Sequence, residues 1–577
     1  MKRIWFIIIL LTLVSLLVNS CRKYFLDVKP TGGLDQFVLA TEKGIDALLV
    51  GAYSMLDGVS EAGYFGWESA SSNWVYGSIR GLEANKGTDA GDSWEGNPIM
   101  TYNEEATNNY LNTKWREVYE AVSRCNSAIA VIYQALKENN ISQAKADLFL
   151  KQARTLRGWY HFEAWRMWEM VPYVDENTDP VTVTNTEDIR SKIIADLTEG
   201  TTLPDNMGAV GKFNGTVAKV ILAIAIMQMN DDYAGALPLL LEARIGTKPD
   251  GSPIGLAPTY GEIFDLINRN GIEAVYTVQY SVNDGSGGWN GGYGEVLNFP
   301  YKTGGSPAGC CGFYQPTQEF VNSFRTSGGL PLLDYSYNNQ PVKNDQGIVV
   351  SAPFQPDAGP LDPRLDWSVG RRGIPYWDWG KHTGADWIRD QTYGGPYSPK
   401  KQVYKKSQEG QYTEVGNWTS GWTANGYRMI RYADLLLMIA ECQIETGDLP
   451  GARTNINLIR ARAANPAGFV MDGAVTAANY VINQYPSTGY PFDSQADARL
   501  ALYMERKLEL GQEGHRYFDV NRWGITVTEL NRALAYEKTM VWGNSLYRNA
   551  TIGTEDVTYP IPQRQIDLSN GNLVQNR

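Results

Sequence analysis

Only three histidines (His161, His382, His515) and five cysteines occur among 577 residues, and they are scattered. No C-x-x-C and no H-E-x-x-H is present, which excludes the common zinc centres, so neither a metal nor any other cofactor is expected. No P-loop occurs, and Gly285-Ser286-Gly287-Gly288-Trp289-Asn290 begins like G-x-G-x-x-G but lacks its last glycine. Ser286 and Ser306 stand outside any G-x-S-x-G. EF-hand spacing is missing too, so Asp89/Asp92 and Asn283/Asp284 read as solvated loop acids before they read as calcium ligands. A basic excess is also absent. Fifty-one Lys and Arg stand against 63 Asp and Glu, a net charge of −12 that argues against nucleic acid or an anionic membrane surface as the main partner.

Long apolar runs are lacking as well, with one exception. Lys2 and Arg3 precede a nearly unbroken apolar stretch from Ile4 to Val18, which ends at Asn19-Ser20-Cys21. Residues 1–20 read as a removed signal, too short to span a bilayer. A cysteine directly after a small residue resembles a bacterial lipoprotein signal, in which Cys21 is lipidated and becomes the new N-terminus. One acyl chain binds a membrane only marginally, whereas several on one cysteine make an effectively permanent anchor. Cys125 and Cys442 lie in helical patterns and read as small buried apolar residues. Cys310 and Cys311 are adjacent in a glycine-rich loop, and two readings stay open: a vicinal disulfide, or two separate thiols.

What is abundant is glycine and rings: 58 Gly, 17 Trp and 34 Tyr. They are unevenly placed. Residues 22–39 form a short tether broken by Pro30 and by Gly32-Gly33. Thr41 is placed to cap a helix, and helical periodicity covers about 41–57, 112–244 and 431–568. One face of the helix expected over 142–170 carries Phe149, Ala153, Leu156, Tyr160, Ala164 and Met167, and Pro172 stops it. Asp232 and Asp448 each lie four residues before an alanine, Ala236 and Ala452, that opens a second apolar stripe. Such turns resemble those of tetratricopeptide helix pairs. Residues 58–110 and 246–425 show no sustained period, apart from a possible strand at 273–280, and read as long ordered loops. The fold class is therefore mainly α: tetratricopeptide-like helix pairs in a single unit over 21–577, with large irregular insertions and a few short strands.

Two sets of residues carry functional expectations. The first is the segment 502–524, where Glu505, Glu509 and Glu513 stack on one helical face beside Arg516 and Asp519. Like charges at that spacing repel, so this is either an acid/base site or an ion-paired strut. Arg431, Arg460 and Arg462 on the preceding helices are candidate counter-charges, which favours the strut. The second is the ring-rich loops. A sugar presents a flat C–H face and a hydroxyl rim, so a sugar site needs aromatic platforms flanked by amides and charges. Asn73, Trp74, Tyr76, Arg80, Asp89 and Trp94 offer that combination, joined by Trp289, Tyr293 and Tyr314.

Several motifs in order carry a wider resemblance. They include Leu26-Asp27-x-x-Pro30 after Cys21, Ala153-x-x-Leu156-Arg157-x-x-Tyr160, and Leu361-Asp362-Pro363-Arg364-Leu365. Arg431-Tyr432-Ala433-Asp434-Leu435, Asn457-x-x-Arg460-x-Arg462-Ala463 and Glu505-Arg506-x-x-Glu509-Leu510-x-x-Glu513-Gly514-His515-Arg516 follow, then Tyr559-Pro560-Ile561-Pro562. Across nearly the whole length the chain resembles the SusD/RagB family of outer-membrane lipoproteins of Bacteroidota. The resemblance implies a helical scaffold whose inserted loops capture glycans, or in some members peptides, at the cell surface. It also implies lipid anchoring in the outer membrane and a SusC-like TonB-dependent transporter as partner. Ligand loops vary freely in the family, so Trp74 and Trp289 rest on composition alone. The leading expectation is a non-catalytic oligosaccharide-binding lipoprotein. A peptide binder of the same architecture is the alternative, with a surface glycoside hydrolase further behind.

Overall fold

The computed structural model describes residues 39–59, 66–301, 305–416 and 419–577; Cys21, the signal and nearly all of the tether lie outside them. Helices dominate. Thr41 caps α1 (Glu42–Ser54), its hydroxyl accepting from the Gly44 N–H at 3.1 Å. Asn108 and Ser142 cap α2 (Asn109–Lys137) and α3 (Gln143–Trp168) in the same way. The short link between α2 and α3 makes them antiparallel neighbours, and α1 packs across both.

After α4 (Arg190–Gly200) come α5 (Gly215–Asn230) and α6 (Tyr233–Arg244); much later come α7 (Tyr432–Thr446) and α8 (Leu449–Ala463). The two pairs share one turn. Asp231 and Gly447 end the first helix of each pair in the left-handed region, with φ of 52° and 91°. Asp232 then accepts from the Gly235 N–H at 2.8 Å, and Asp448 from that of Gly451 at 2.9 Å. A Cβ on either glycine would meet its capping carboxylate at 2.2 or 2.0 Å, so a side chain there would make the cap shift. Helix α6 packs on α7, so the pairs are neighbours although the whole 246–425 insertion separates them. Helices α9 (Gln495–Leu510), α10 (Arg516–Arg522) and α11 (Thr526–Glu537) complete the scaffold, but 464–494 is irregular, so the expected helical stretch over 431–568 is interrupted.

Strands are few and short. Those that matter are β1 (Ala84–Gly87), β2 (Ala274–Tyr276), β3 (Phe313–Pro316) and β4 (Ile430–Arg431). Antiparallel β1 and β3 pair Ala84 with Pro316 and Gly87 with Phe313; β2 pairs with β4. The strand expected over 273–280 forms only at Ala274–Tyr276. The larger correction concerns the first insertion, part of which is interior. Residues 72–88 run through the interior as a π-helical turn, Trp74–Ile79, followed by β1. Their side chains join the same apolar core as α2, α3 and α5.

The acidic segment on α9 is an ion-paired strut. Glu505 receives Arg364 Nη1 at 2.6 Å and Arg460 Nη1 at 2.9 Å. Glu509 lies 2.5 Å from Arg462, 3.0 Å from Arg431 and 3.1 Å from Arg364. Glu513 takes Arg431 Nε and Lys401 Nζ, each at 2.7 Å. Asp519 pairs with Arg506 and Arg522, while Arg516 turns away to Glu529. Burial alone pushes carboxyls up, but here the surrounding guanidinium groups win. Glu513 is held down at about 2 by Arg431 and Lys401, Asp519 at about 2 by Arg506 and Arg522, and Glu509 well below the carboxylate range. Carboxylates so neutralised and dehydrated are fastened parts of the scaffold, with no free lone pair poised for a substrate.

Candidate functional site

The insertions converge on one exposed aromatic face, built around Trp289. The loop beneath it is glycine-rich because its backbone repeatedly enters the left-handed region: Gly285, Gly287, Gly288 and Gly292 have φ between 61° and 90°. Gly288 also lies flat on an indole, since a Cβ there would stand 1.6 Å from Trp422 Cε3. Asp284 closes the loop, accepting from the Ser286 N–H and from Asn290 Nδ2, both at 2.9 Å. Those hydrogen bonds, chiefly from the side chains of Asn290 and Ser286, hold its carboxyl well below the usual range. The Asn283 N–H donates to Glu414 at 2.9 Å and ties the loop to its neighbour. Asp284 is thus consumed in shaping the loop. The glycines that fail as a phosphate-binding motif serve to mount a tryptophan.

Trp289 is 48% exposed. Behind it stands Tyr293, ring centroids 4.9 Å apart and planes 23° apart; behind Tyr293 stands Trp67, at 5.9 Å and 22°. Nearly parallel rings at those separations are offset, because face-to-face contact needs only ~3.5–4.0 Å. The result is a stepped row with Tyr293 buried in the middle, Trp67 half-buried at one end and the outer face of Trp289 open at the other. Trp422 braces Tyr293 from the side at 6.2 Å. Burial, and secondarily the Glu68 carboxyl, raise the Tyr293 hydroxyl, so that ring stays neutral.

Another open ring, Trp94, is 62% exposed on the turn that follows β1. That turn is held by charge. Arg389 lies 2.8 Å from Asp89 and 2.5 Å from Asp92, and Lys86 donates to the Asp89 carbonyl at 2.7 Å. Asp89 therefore serves as the turn's anchor, one third exposed and already paired.

The remaining loop residues expected to touch ligand are interior. Trp74 is 1% exposed, and its Nε1 donates to the Gly294 carbonyl at 3.0 Å, beside Tyr293. Tyr76 donates to the Tyr110 carbonyl at 2.9 Å and meets Tyr559 edge-on. Tyr314 is fully buried on Ser78, at 2.8 Å. Arg80 is fully buried too, pairing with Glu104 at 2.6 Å and lying 4.4 Å from the Tyr559 ring centroid. Asn73 donates to Glu163 at 3.2 Å, 5% exposed. As placed, none of these five can present a face to a ligand; a hydrophobic ring flanked by glycine is equally at home in a core. Trp67 and Trp422 are the parts of the row that the sequence alone does not single out, because only the tertiary fold brings 67, 293 and 422 together.

Cys310 and Cys311 form a vicinal disulfide, and Cys125 and Cys442 are buried thiols pushed up by burial. Among the described residues no group of three or more His, Cys, Asp and Glu is placed to hold a metal ion, and no helix is long and apolar enough to cross a membrane.

Helix pairs joined by the Asp-capped turn, carrying long insertions that meet in one aromatic face, define a helical-repeat scaffold with an inserted surface. The class has a family. Residues 272–577 match the SusD family model, and residues 24–220 match a second one described as starch-binding associating with outer membrane. The chain belongs to the SusD family. A SusD-like protein of Bacteroides ovatus is 23% identical over 283 residues, 47% of this chain and 49% of that one, so the chain spans about half the length of this curated relative. A SusD superfamily protein from Bacteroides vulgatus has the same fold, with a TM-score of 0.66 at 18% identity, covering 93% of this chain and 99% of that one. Surface glycan-binding protein A from Bacteroides thetaiotaomicron, solved in complex with laminarihexaose, superposes with a TM-score of 0.63 at 20% identity and the same coverage.

Proposed function

We propose that this protein captures oligosaccharides at the cell surface, anchored to the outer membrane through a lipid on Cys21, and delivers them to a SusC-like TonB-dependent transporter. The observation that carries the reading is Trp289: a half-exposed indole on a loop whose glycines, Asp284 clasp and stacked backing rings hold it rigid. A rigid exposed ring gives the C–H face of a sugar a platform at little entropic cost. The family's description as starch-binding and outer-membrane-associated supports the same reading, as does the laminarihexaose-bound relative of the same fold. Binding without catalysis is part of the proposal, and it is supported by the engagement of Glu505, Glu509, Glu513 and Asp284 in structural contacts. Weak capture suffices, because anchoring beside a transporter raises the effective concentration without new contacts.

The test is retention on a panel of immobilised glycans, with Trp289→Ala as the control variant. Binding to at least one glycan that the variant loses supports the proposal. Binding to a protein digest and to no glycan overturns it in favour of peptide capture. Metabolic acyl labelling that persists in Cys21→Ala would remove the anchor from the reading.

A further inference from the structure

The loop that mounts Trp289 carries charge of one sign. Asp284 is exposed, and its Oδ2 accepts at 2.9 Å from the amide of Asn290, the residue next to the ring. Glu414, half-buried, accepts the Asn283 N–H at 2.9 Å. Glu409 is exposed, and the carbonyl of its neighbour Gly410 accepts from Asn283 Nδ2 at 3.2 Å. Three carboxylates thus gather on the two segments that meet at Asn283. The cations of the same region are turned to rings instead. Lys406 Nζ lies 5.8 Å from the Trp379 ring centroid, and the Arg269 guanidinium lies as far from that of Tyr412. Among the described residues, neither forms an ion pair with any of the three carboxylates.

The hydrogen-bonding character is one-sided too. An ionised carboxylate can only accept, so Asp284 fixes the nitrogen of the Asn290 amide on itself and leaves Asn290 Oδ1 uncommitted. Apart from the indole N–H of Trp289, the side-chain groups beside the ring are therefore chiefly acceptors. A sugar hydroxyl can donate to such an edge. A uronate or a sulfate ester brings ionised oxygens that only accept, and it meets like charge as well. We infer that the Trp289 platform takes neutral oligosaccharides and turns away uronate-bearing and sulfated ones, with Asp284, Glu409 and Glu414 as the residues that set this preference. The inference names the substrate class of the capture reading and rests on it.

Exposed charges act over ~8 Å at physiological salt. Asp284 is tied to the residue adjoining Trp289, so a sugar lying on the indole falls within that range of its carboxylate. The bonds from Asn290 and Ser286 that hold this carboxyl well below the usual range keep it ionised at neutral pH. One exposed pair of charges changes an affinity by up to about fivefold, so two or three like charges amount to about tenfold against an acidic sugar at low salt.

The test runs the protein by affinity electrophoresis through starch, β-glucan and mannan, and through the C6-carboxylated and sulfated derivatives of whichever it retains. The derivatives should bind about tenfold more weakly at about 0.02 M salt, and the gap should shrink to about twofold at about 0.5 M. Glu409→Gln/Glu414→Gln should narrow the ratio of the two affinities at low salt. That ratio still reads charge if the substitution loosens the loop, because a loosened loop lowers both affinities together. Equal affinity for the derivatives, or retention of acidic glycans only, overturns the inference and leaves glycan capture standing. A gap that neither salt nor the variant narrows overturns it too, since shape rather than charge would then set the preference. Retention of no glycan of either kind overturns the capture reading itself, and this inference with it.

Discussion

The backbone N–H of Gly514 donates to the Ser78 hydroxyl at 3.0 Å, and that contact joins the ion-paired strut to the buried π-helical turn. Gly514 has a φ of 83°, and a Cβ there would stand 1.6 Å from the Ser72 carbonyl oxygen. Opposite it, a Cβ on Gly77 would meet the Gly514 carbonyl oxygen at 1.8 Å. Two backbones touch here because neither has a side chain. Gly514→Ala must both leave the left-handed region at a cost and push the two segments apart. The expected outcome is a protein that expresses poorly or melts many degrees lower, measured by thermal unfolding and by protease sensitivity of residues 66–88. A melting temperature within ~2 °C of the parent, an order-of-magnitude tolerance for this size of domain, would count against this junction.

The strut should matter to stability far more than to ligand. Glu509 is contacted by Arg364, Arg431 and Arg462, all buried, so Glu509→Ala takes one carboxylate from each of three dehydrated guanidinium groups and leaves them to Asp362, Glu505, Glu273 and Glu513. Removing one member of a buried ion network costs ~3–5 kcal/mol. Thermal melts should show that loss, while glycan affinity at the same temperature changes less than about twofold. The pH profile has a defined sign. Glu513 and Asp519 are depressed to about 2, so their contribution is present above the unfolded carboxylate range and is lost as pH falls through about 2. Acid unfolding of the parent should steepen across that window, and the variant's acid limb should be shallower.

Much of this scaffold is legible in local chemistry. Thr41 and Ser142 announce their helices, and Asp232 and Asp448 announce their turns, because capping needs only residues three or four apart. Arg460 and Arg462 are visible as partners for the glutamates because they lie on a periodic helix, and Arg431 because it stands at the start of another. Arg364 and Lys401 are not, since both reach the strut from irregular chain with no period to register them. The aromatic residues show the limit more sharply. Trp74 and Trp289 stand in similarly glycine-rich stretches, yet one is a core ring and the other an exposed platform. The difference lies in the flanks: Trp289 sits among four glycines with positive φ at a loop tip, whereas Trp74 opens a turn that leads into the β1–β3 ladder.

That difference predicts opposite mutant phenotypes. Trp289→Ala removes an exposed ring and leaves the core intact, so melting should be nearly unchanged. Ligand retention should fall about tenfold to a hundredfold, the equivalent of the ~1.5–3 kcal/mol for burying one large apolar side chain. Trp74→Ala opens a cavity next to Phe313 and Tyr314 and breaks the bond to the Gly294 carbonyl. It should cost ~3–5 kcal/mol of stability, with any loss of affinity following from disorder of the Tyr293 mount. Measuring both variants by calorimetry and by glycan retention separates the two roles; matching phenotypes would mean the platform is misassigned.

Glu537 supplies a second pH effect, of the opposite sign to the strut's. It is fully buried at the end of α11, where its carboxylate accepts the Glu319 N–H at 2.6 Å and one oxygen has no partner. Burial first, and then the nearby Glu319 carboxylate, push it from 4.5 up to about 8, against the pull of that N–H and of Lys507. A raised carboxyl holds its proton in the folded chain after the unfolded chain has released it. Its contribution is therefore full below about 4.5 and lost as pH rises through about 8. Glu537→Gln keeps the acceptor for the Glu319 N–H but cannot ionise. Relative to the parent, the variant should be near-neutral at about pH 5 and more stable at about pH 8.5, by on the order of 3 kcal/mol, because each tenfold difference in proton affinity between folded and unfolded chains is worth ~1.4 kcal/mol. Denaturant titrations of both proteins at the two pH values measure the difference. A gap that stays constant between those two pH values would show that Glu537 is ionised throughout, and that Lys507 rather than burial governs the group.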